Sequence, residues 1–143
     1  MKASVFLAIP ALFLAAACAP TTTDHEPEAY VQEGKASYYA NSLQGRRTSD
    51  GGTYDKTEMT AAHKYLPLGT EIEVTNLRND STVTVTVTDR GPYHKQRILD
   101  VSRAAARSLD LLKKGTAPVR IEVIDPAPGY TLADSVATDR RDS

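Results

Sequence analysis

Within residues 82–88 three valines, Val83, Val85 and Val87, alternate with four threonines. Successive side chains leave opposite faces of a β-strand, so this segment has one apolar face to bury and one polar face to show. β-Branched residues in this density suit a pleated sheet better than a helix. In 70–76, just before it, Ile72 and Val74 alternate with Glu71 and Glu73, and Arg78-Asn79-Asp80-Ser81 between the two supplies turn formers, which predicts a hairpin. Further strands are predicted over 35–39, 97–101 and 118–124. A barrel or sandwich class follows.

One helix is expected, with Ser102 as N-cap, the helix formers Ala104, Ala105 and Ala106, an apolar face at Leu109 and Leu112, and Gly115 as its stop. Leu66-Pro67-Leu68-Gly69 reads as a tight corner. Two loops stand out: 41–53, rich in Gly, Ser, Asn and Arg, and 89–96, broken by Gly91-Pro92. Long loops on a small β scaffold are where function concentrates.

The N-terminus has a different character. After Met1-Lys2 the chain runs apolar and small from Ala3 to Ala17, interrupted by Ser4 and Pro10, and reaches its single cysteine at Cys18. This is read as a signal peptide over 1–17, shorter than the roughly 20 apolar residues of a membrane-spanning helix. Ala15, Ala16 and Ala17 before a lone Cys look like a bacterial lipobox, which would make Cys18 the acylated first residue of the mature chain; an ordinary secretory signal is the alternative. An odd cysteine in an exported chain calls for such an explanation. The expected product is an exported lipoprotein, anchored to a membrane and facing the periplasm or cell wall.

Removing the signal leaves roughly 126 of the 143 residues, enough for one domain. Residues 18–33 are polar and acidic and read as a lipidated tether, 34–125 as the domain, and 126–143, opening on Pro126-Ala127-Pro128-Gly129, as a disordered tail. The formal net charge is −1, or about −2 once Lys2 is removed, which gives no electrostatic reason to expect nucleic acid. No metal-ligand spacing is found and no cofactor is expected.

Seven blocks then occur in order: Gly34-Lys35-Ala36-Ser37-Tyr38-Tyr39; Thr48 with Tyr54-Asp55; Met59-Thr60-Ala61-Ala62-His63; Leu66-Pro67-Leu68-Gly69-Thr70; Val74-Thr75-Asn76; Asp89-Arg90-Gly91-Pro92-Tyr93; and Ser102-Arg103-Ala104-Ala105-Ala106. Together they resemble the rare lipoprotein A (RlpA) family over 34–124. The resemblance implies a six-stranded double-psi β-barrel with a groove for peptidoglycan glycan strands. It also implies lytic transglycosylase activity, which breaks the bond between N-acetylmuramic acid and N-acetylglucosamine without water and leaves a 1,6-anhydro end.

Such a cleavage needs an acid for the leaving oxygen and a base for the muramoyl 6-hydroxyl, and one carboxyl group can serve as both in turn. Asp89 ends the alternating strand and matches the family's catalytic Asp; an Asx-type turn residue is its structural alternative. To act as the acid near pH 7 it needs a pKa raised by roughly 2–3 units from about 3.9, which burial is expected to supply. His63 matches the family's active-site His and is expected beside the acid, with a structural His as the alternative. Arg90, on the opposite strand face from Asp89, is expected to hold loop carbonyls or a substrate carboxylate. Of Tyr38 and Tyr39, one is expected in the barrel and the other on a sugar ring, with Tyr93 serving likewise from the second loop. His25 falls in the tether and His94 on the rim.

One departure from the family pattern matters. Where the family carries Ala-Ser-Gly-Glu after the equivalent of Thr48, this chain has Ser49-Asp50-Gly51-Gly52, so Gly52 stands in the place of the usual second carboxylate. Asp50 is the expected substitute, and Asp55 is expected to be structural. The leading expectation is a lytic transglycosylase with Asp89 and His63 catalytic and Tyr38, Tyr39, Asp50, Arg90 and Tyr93 binding glycan. The alternative is an expansin-like barrel that binds glycan without turnover.

Overall fold

The computed structural model describes residues 10–11 and 29–139, so Cys18 and His25 lie outside the described residues. Six strands, β1 (Val31–Tyr38), β2 (Thr60–His63), β3 (Glu71–Asn76), β4 (Thr82–Asp89), β5 (Arg97–Val101) and β6 (Ala117–Asp125), close into a barrel in the order β1-β5-β2-β4-β3-β6. The β1/β5 and β2/β4 pairs are parallel and the rest antiparallel. Mainly β with six strands, this is the double-psi barrel arrangement expected.

The alternating pattern does what it predicts. Ile72, Val74, Val85 and Val87 are buried with Leu99, Val101, Val119 and Ile121 from the other strands, and Val83 packs at their margin. The hairpin joins β3 to β4 past Asn76, whose backbone amide donates to the Ser81 carbonyl at 2.8 Å, while Asp80 takes the left-handed φ of 59° that Asn and Asp tolerate. At the 66–69 corner, Gly69 adopts a φ of 95° and donates to the Val87 carbonyl at 2.7 Å, a backbone shape that favours glycine.

Four boundaries differ from expectation, each for a physical reason. Strand β2 has no period-two signal: of its four residues Ala61, Ala62 and His63 are all buried, since both of its faces are covered. Strand β1 starts at Val31, inside the stretch read as tether, because Val31 to Glu33 are held by backbone pairing with Glu122 to Arg120 rather than by apolar burial. Helix α1 (Arg103–Ser108) is capped by the Ser102 hydroxyl, which accepts from the Ala105 amide, but it stops well before Gly115, at Leu109. There Asp110 turns left-handed at φ 54° so that Leu109 and Leu111 can both be buried. A second helix, α2 (Leu132–Asp139), occupies part of the stretch read as a disordered tail. Thr131 and Asp134 cap it reciprocally: Asp134 Oδ2 accepts from the Thr131 amide and hydroxyl, and the Thr131 hydroxyl from the Asp134 amide.

Candidate active site

Strand β4 delivers Asp89 to the rim of the barrel, and the residue following β1, Tyr39, arrives beside it. In the strand order β5 and β2 lie between β1 and β4, and the Tyr39 side chain reaches across to the Asp89 carboxylate. Above them folds the segment 45–54, a small hairpin rather than an open loop. Tyr54 donates to the Arg46 carbonyl at 2.7 Å, Arg47 bridges Thr53, and Thr48 donates to the Gly52 carbonyl at 3.0 Å. The hairpin is tied to the barrel where it matters, by the Asp50 amide donating to the Thr88 carbonyl at 3.1 Å and by Ser49.

Asp89 is the focus of the network. Its Oδ1 accepts from the Ser49 hydroxyl at 2.7 Å, the Ser49 amide at 3.0 Å and the Arg90 amide at 2.9 Å, and its Oδ2 from the Tyr39 hydroxyl at 2.8 Å. Burial pushes its pKa up, but these donors to the charged form outweigh burial and hold it below the ordinary carboxylate value. The expected upward shift is therefore reversed. Asp89 is a carboxylate at neutral pH, suited to accept a proton or to face a developing cation.

Tyr39 is raised far above the ordinary phenol range, by burial first and then by its bond to Asp89 and the fields of Asp89 and Asp100, so it stays a donor. Its ring meets the Tyr54 ring edge-on at 4.6 Å. Tyr38 goes the other way: it packs against the core and its hydroxyl donates to the Leu112 carbonyl at 3.3 Å. The alternation of two neighbouring tyrosines is thus resolved, with Tyr39 in the site and Tyr38 out of it.

A cleft of about 550 Å³ runs over Asp89, with Tyr39, Arg46, Arg47 and Arg90 on its walls and Tyr93, 86% exposed, on its lip. Arg90 is anchored from below: its Nη1 donates to the carbonyls of Leu66 at 2.6 Å and His63 at 3.2 Å, the loop-carbonyl role expected of it.

His63 and Asp50 do not take their expected places. The His63 side chain is 1% exposed and lines no part of the cleft. Its Nδ1 accepts from the amides of Tyr65 at 3.1 Å and Leu66 at 3.0 Å, which leaves Nε2 as the protonated nitrogen, facing Gln32 Oε1 at 3.0 Å. Burial, with help from Arg90 and Lys64, pushes its pKa down to about 4, so the ring is neutral. His63 shapes the turn whose carbonyls hold Arg90. Asp50 caps its own hairpin, accepting from the Thr48 hydroxyl and the Gly52 amide, and is not a wall of the cleft. Gly52 has no left-handed φ, and a Cβ there would meet Asp50 Oδ1 at 3.3 Å.

The residue that sequence reasoning missed is Asp100. It lines the same cleft from β5, where its neighbours Leu99 and Val101 are buried in the core. Its signal was available as a lone acid at an alternate position of an otherwise apolar strand. Burial pushes its pKa up, against the pull of Arg97 and His94. Among the described residues no cluster of His, Cys, Asp and Glu could hold a metal ion.

A family model described as "Lytic transglycolase" matches residues 31–121, which span the barrel from β1 into β6 and include every wall of the cleft. The chain belongs to the lytic transglycolase family. Its curated relatives agree with the RlpA resemblance. An "Endolytic peptidoglycan transglycosylase RlpA" from Neisseria meningitidis serogroup A is 44% identical over 114 residues, covering 80% of this chain and 48% of the relative. One of the same name from Campylobacter jejuni is 51% identical over 92 residues, 64% of this chain and 34% of the relative. The chain thus spans half or less of the length of these relatives. Among solved structures, a Streptomyces papain inhibitor matches with TM-score 0.55 at 22% identity, over 66% of this chain and 94% of that one. An apo Clavibacter michiganensis expansin matches with TM-score 0.52 at 23% identity, over 71% and 54% of the two chains. These two likenesses concern the fold of this lytic transglycolase domain.

Proposed function

We propose that the protein is a peptidoglycan lytic transglycosylase that cleaves between N-acetylmuramic acid and N-acetylglucosamine and leaves 1,6-anhydromuramoyl ends. The observation that carries this reading is the Asp89 carboxylate, kept ionised by Tyr39, Ser49 and Arg90 inside a cleft walled by an aromatic and several arginines. A carboxylate so held can take the proton of the muramoyl 6-hydroxyl as that oxygen attacks C1, and its charge faces the oxocarbenium character that develops there. The arginines suit a glycan whose muramoyl units carry lactyl carboxylates. The curated relatives named as endolytic peptidoglycan transglycosylases support the same substrate.

We propose that Cys18 is acylated after removal of 1–17 and anchors the domain at a membrane, facing the periplasm or cell wall. Among the described residues no helix is long and apolar enough to cross a membrane.

The experiment is to digest purified, peptide-free glycan strands with the protein and search the products by mass spectrometry for 1,6-anhydromuramoyl ends. Their formation supports the reading. Retained binding to strands with no such ends at any pH between acid and neutral would instead leave the expansin-like alternative.

A further inference from the structure

Strand register puts two carboxyl groups on one face of the barrel. Ala62 of β2 pairs with Asp89 of β4 on one side and with Asp100 of β5 on the other. The β2/β4 register shifts between Ala61 and Ala62, so that Ala61 pairs with Val87 of the core and Ala62 with Asp89; Asp89 and Asp100 thus flank Ala62, and both line the cleft. Ala62 itself is buried and is not part of the barrel core cluster. Two strand spacings separate their backbones by about 10 Å, room for a sugar ring and its glycosidic oxygen.

The two groups have opposite surroundings. Asp89 receives four hydrogen bonds. Asp100 Oδ1 is buried with no hydrogen-bond partner; Arg97 Nη1 forms an ion pair with it at 3.6 Å, too long for a hydrogen bond, and burial outweighs that attraction. A charge left in such a place is costly, and the neutral acid is the less costly form. Tyr39 lies within the field of both and donates to Asp89 alone.

Resting on the transglycosylase reading above, we propose that Asp100 is the proton donor of the reaction and Asp89 its base, so that the second carboxyl absent at position 52 is supplied from β5. Asp100 gives its proton to the glycosidic oxygen as the bond from that oxygen to muramoyl C1 breaks. The N-acetylglucosamine end departs as a neutral alcohol. The muramoyl 6-oxygen forms the new bond to C1 and passes its proton to Asp89. Asp100 ends as a carboxylate and Asp89 as an acid, and exchange with solvent resets both. No water is consumed, and no oxidant or reductant is needed.

The test compares two substrates of the purified protein: glycan strands, whose leaving alcohol must be protonated, and a 4-nitrophenyl glycoside of a muramoyl-terminated oligosaccharide, whose phenolate leaves unaided. Asp100→Asn should lose about 10²–10⁴-fold in kcat on strands while staying within about tenfold of wild type on the aryl glycoside. Asp89→Asn should lose both activities. Should Asp100→Asn fail to fold, Asp100→Glu, which keeps the acid but moves it by one methylene, must show the same contrast between substrates. An equal loss on both substrates, or no loss on strands, overturns the assignment while leaving the transglycosylase reading intact. A wild-type protein that makes no anhydro ends from either substrate overturns both.

Discussion

The Tyr39 hydroxyl donates to Asp89 Oδ2 at 2.8 Å, joining the end of β1 to the end of β4 across fifty positions of the chain. This bond favours the charged form of Asp89, so Tyr39→Phe should raise the Asp89 pKa. Activity that needs the carboxylate is lost as pH falls through that pKa, so the acid limb of the pH–rate profile should move to higher pH. A profile unchanged at its acid limb would show that Tyr39 does not tune Asp89. The fold should lose about 1 kcal/mol, the worth of one hydrogen bond, measured by urea unfolding.

Asp89→Asn should keep the fold and the affinity for glycan strands, because its amide oxygen can accept from Ser49 and the Arg90 amide where Oδ1 stood, while its NH2 can donate to the Tyr39 hydroxyl oxygen where Oδ2 stood. It should reduce anhydro-product formation by about 10²–10⁴-fold, since an amide cannot take the proton. Binding by co-sedimentation and product by mass spectrometry separate the two effects.

His63 supplies a stability test. Its folded pKa of about 4 lies below the ordinary 6.5, so on acidification the unfolded chain takes up a proton that the folded one refuses. Stability is therefore fully present above pH 6.5 and falls as pH drops toward 4, by on the order of 3 kcal/mol. His63→Asn keeps an acceptor near the Tyr65 and Leu66 amides but cannot titrate, and its unfolding free energy should be flatter between pH 6.5 and 4. Because the ring is outside the cleft, activity at neutral pH should stay within about tenfold of wild type.

Gly52→Glu should fold with a loss of about 1 kcal/mol, because position 52 has an ordinary φ and the new Cβ meets side-chain oxygens, Asp50 Oδ1 at 3.3 Å and Thr48 Oγ1 at 3.6 Å, so that the Asp50 cap of the hairpin must shift slightly. If Asp100 already donates the proton, the added carboxylate should change kcat by no more than about threefold. A large gain would mean that the chain lacks a working acid.

Cys18→Ser should abolish labelling by a fatty-acid probe and release the protein from membranes. Retention without the label would count against the lipid anchor.

How much of this was legible in the sequence depended on burial. Where one face is buried and one wet, as in Val83 to Val87 and Ile72 to Val74, the alternation is visible in the letters. Strand β2, covered on both faces, and the start of β1, held by backbone pairing alone, leave no such pattern. Asp89 and Arg90 could be singled out because turn chemistry and motif order point to them, and the Tyr38-Tyr39 pair because alternation sends one of the two toward the cleft, without saying which. Asp100 is visible in the sequence as a lone acid on an apolar strand, but its position beside Asp89 is not, because it arises from a register between β2 and two neighbours that are remote in sequence. For the same reason His63 was placed by resemblance near the acid, whereas its partners, Gln32 and the amides of Tyr65 and Leu66, turn it inward.

Closure of the barrel through its first strand has a mechanical consequence. Strand β1 is gripped along its length by antiparallel β6 on one side and parallel β5 on the other. A pull on the chain ahead of Val31 is directed along that strand, so the hydrogen bonds on both flanks share the load in shear and cannot be unzipped one at a time. Forced extraction is governed by the unfolding rate, and here it must break two ladders together. A domain held by its N-terminal side while its cleft grips a stiff polymer would transmit tension between the two without letting go of Tyr39, the residue that directly follows the loaded strand.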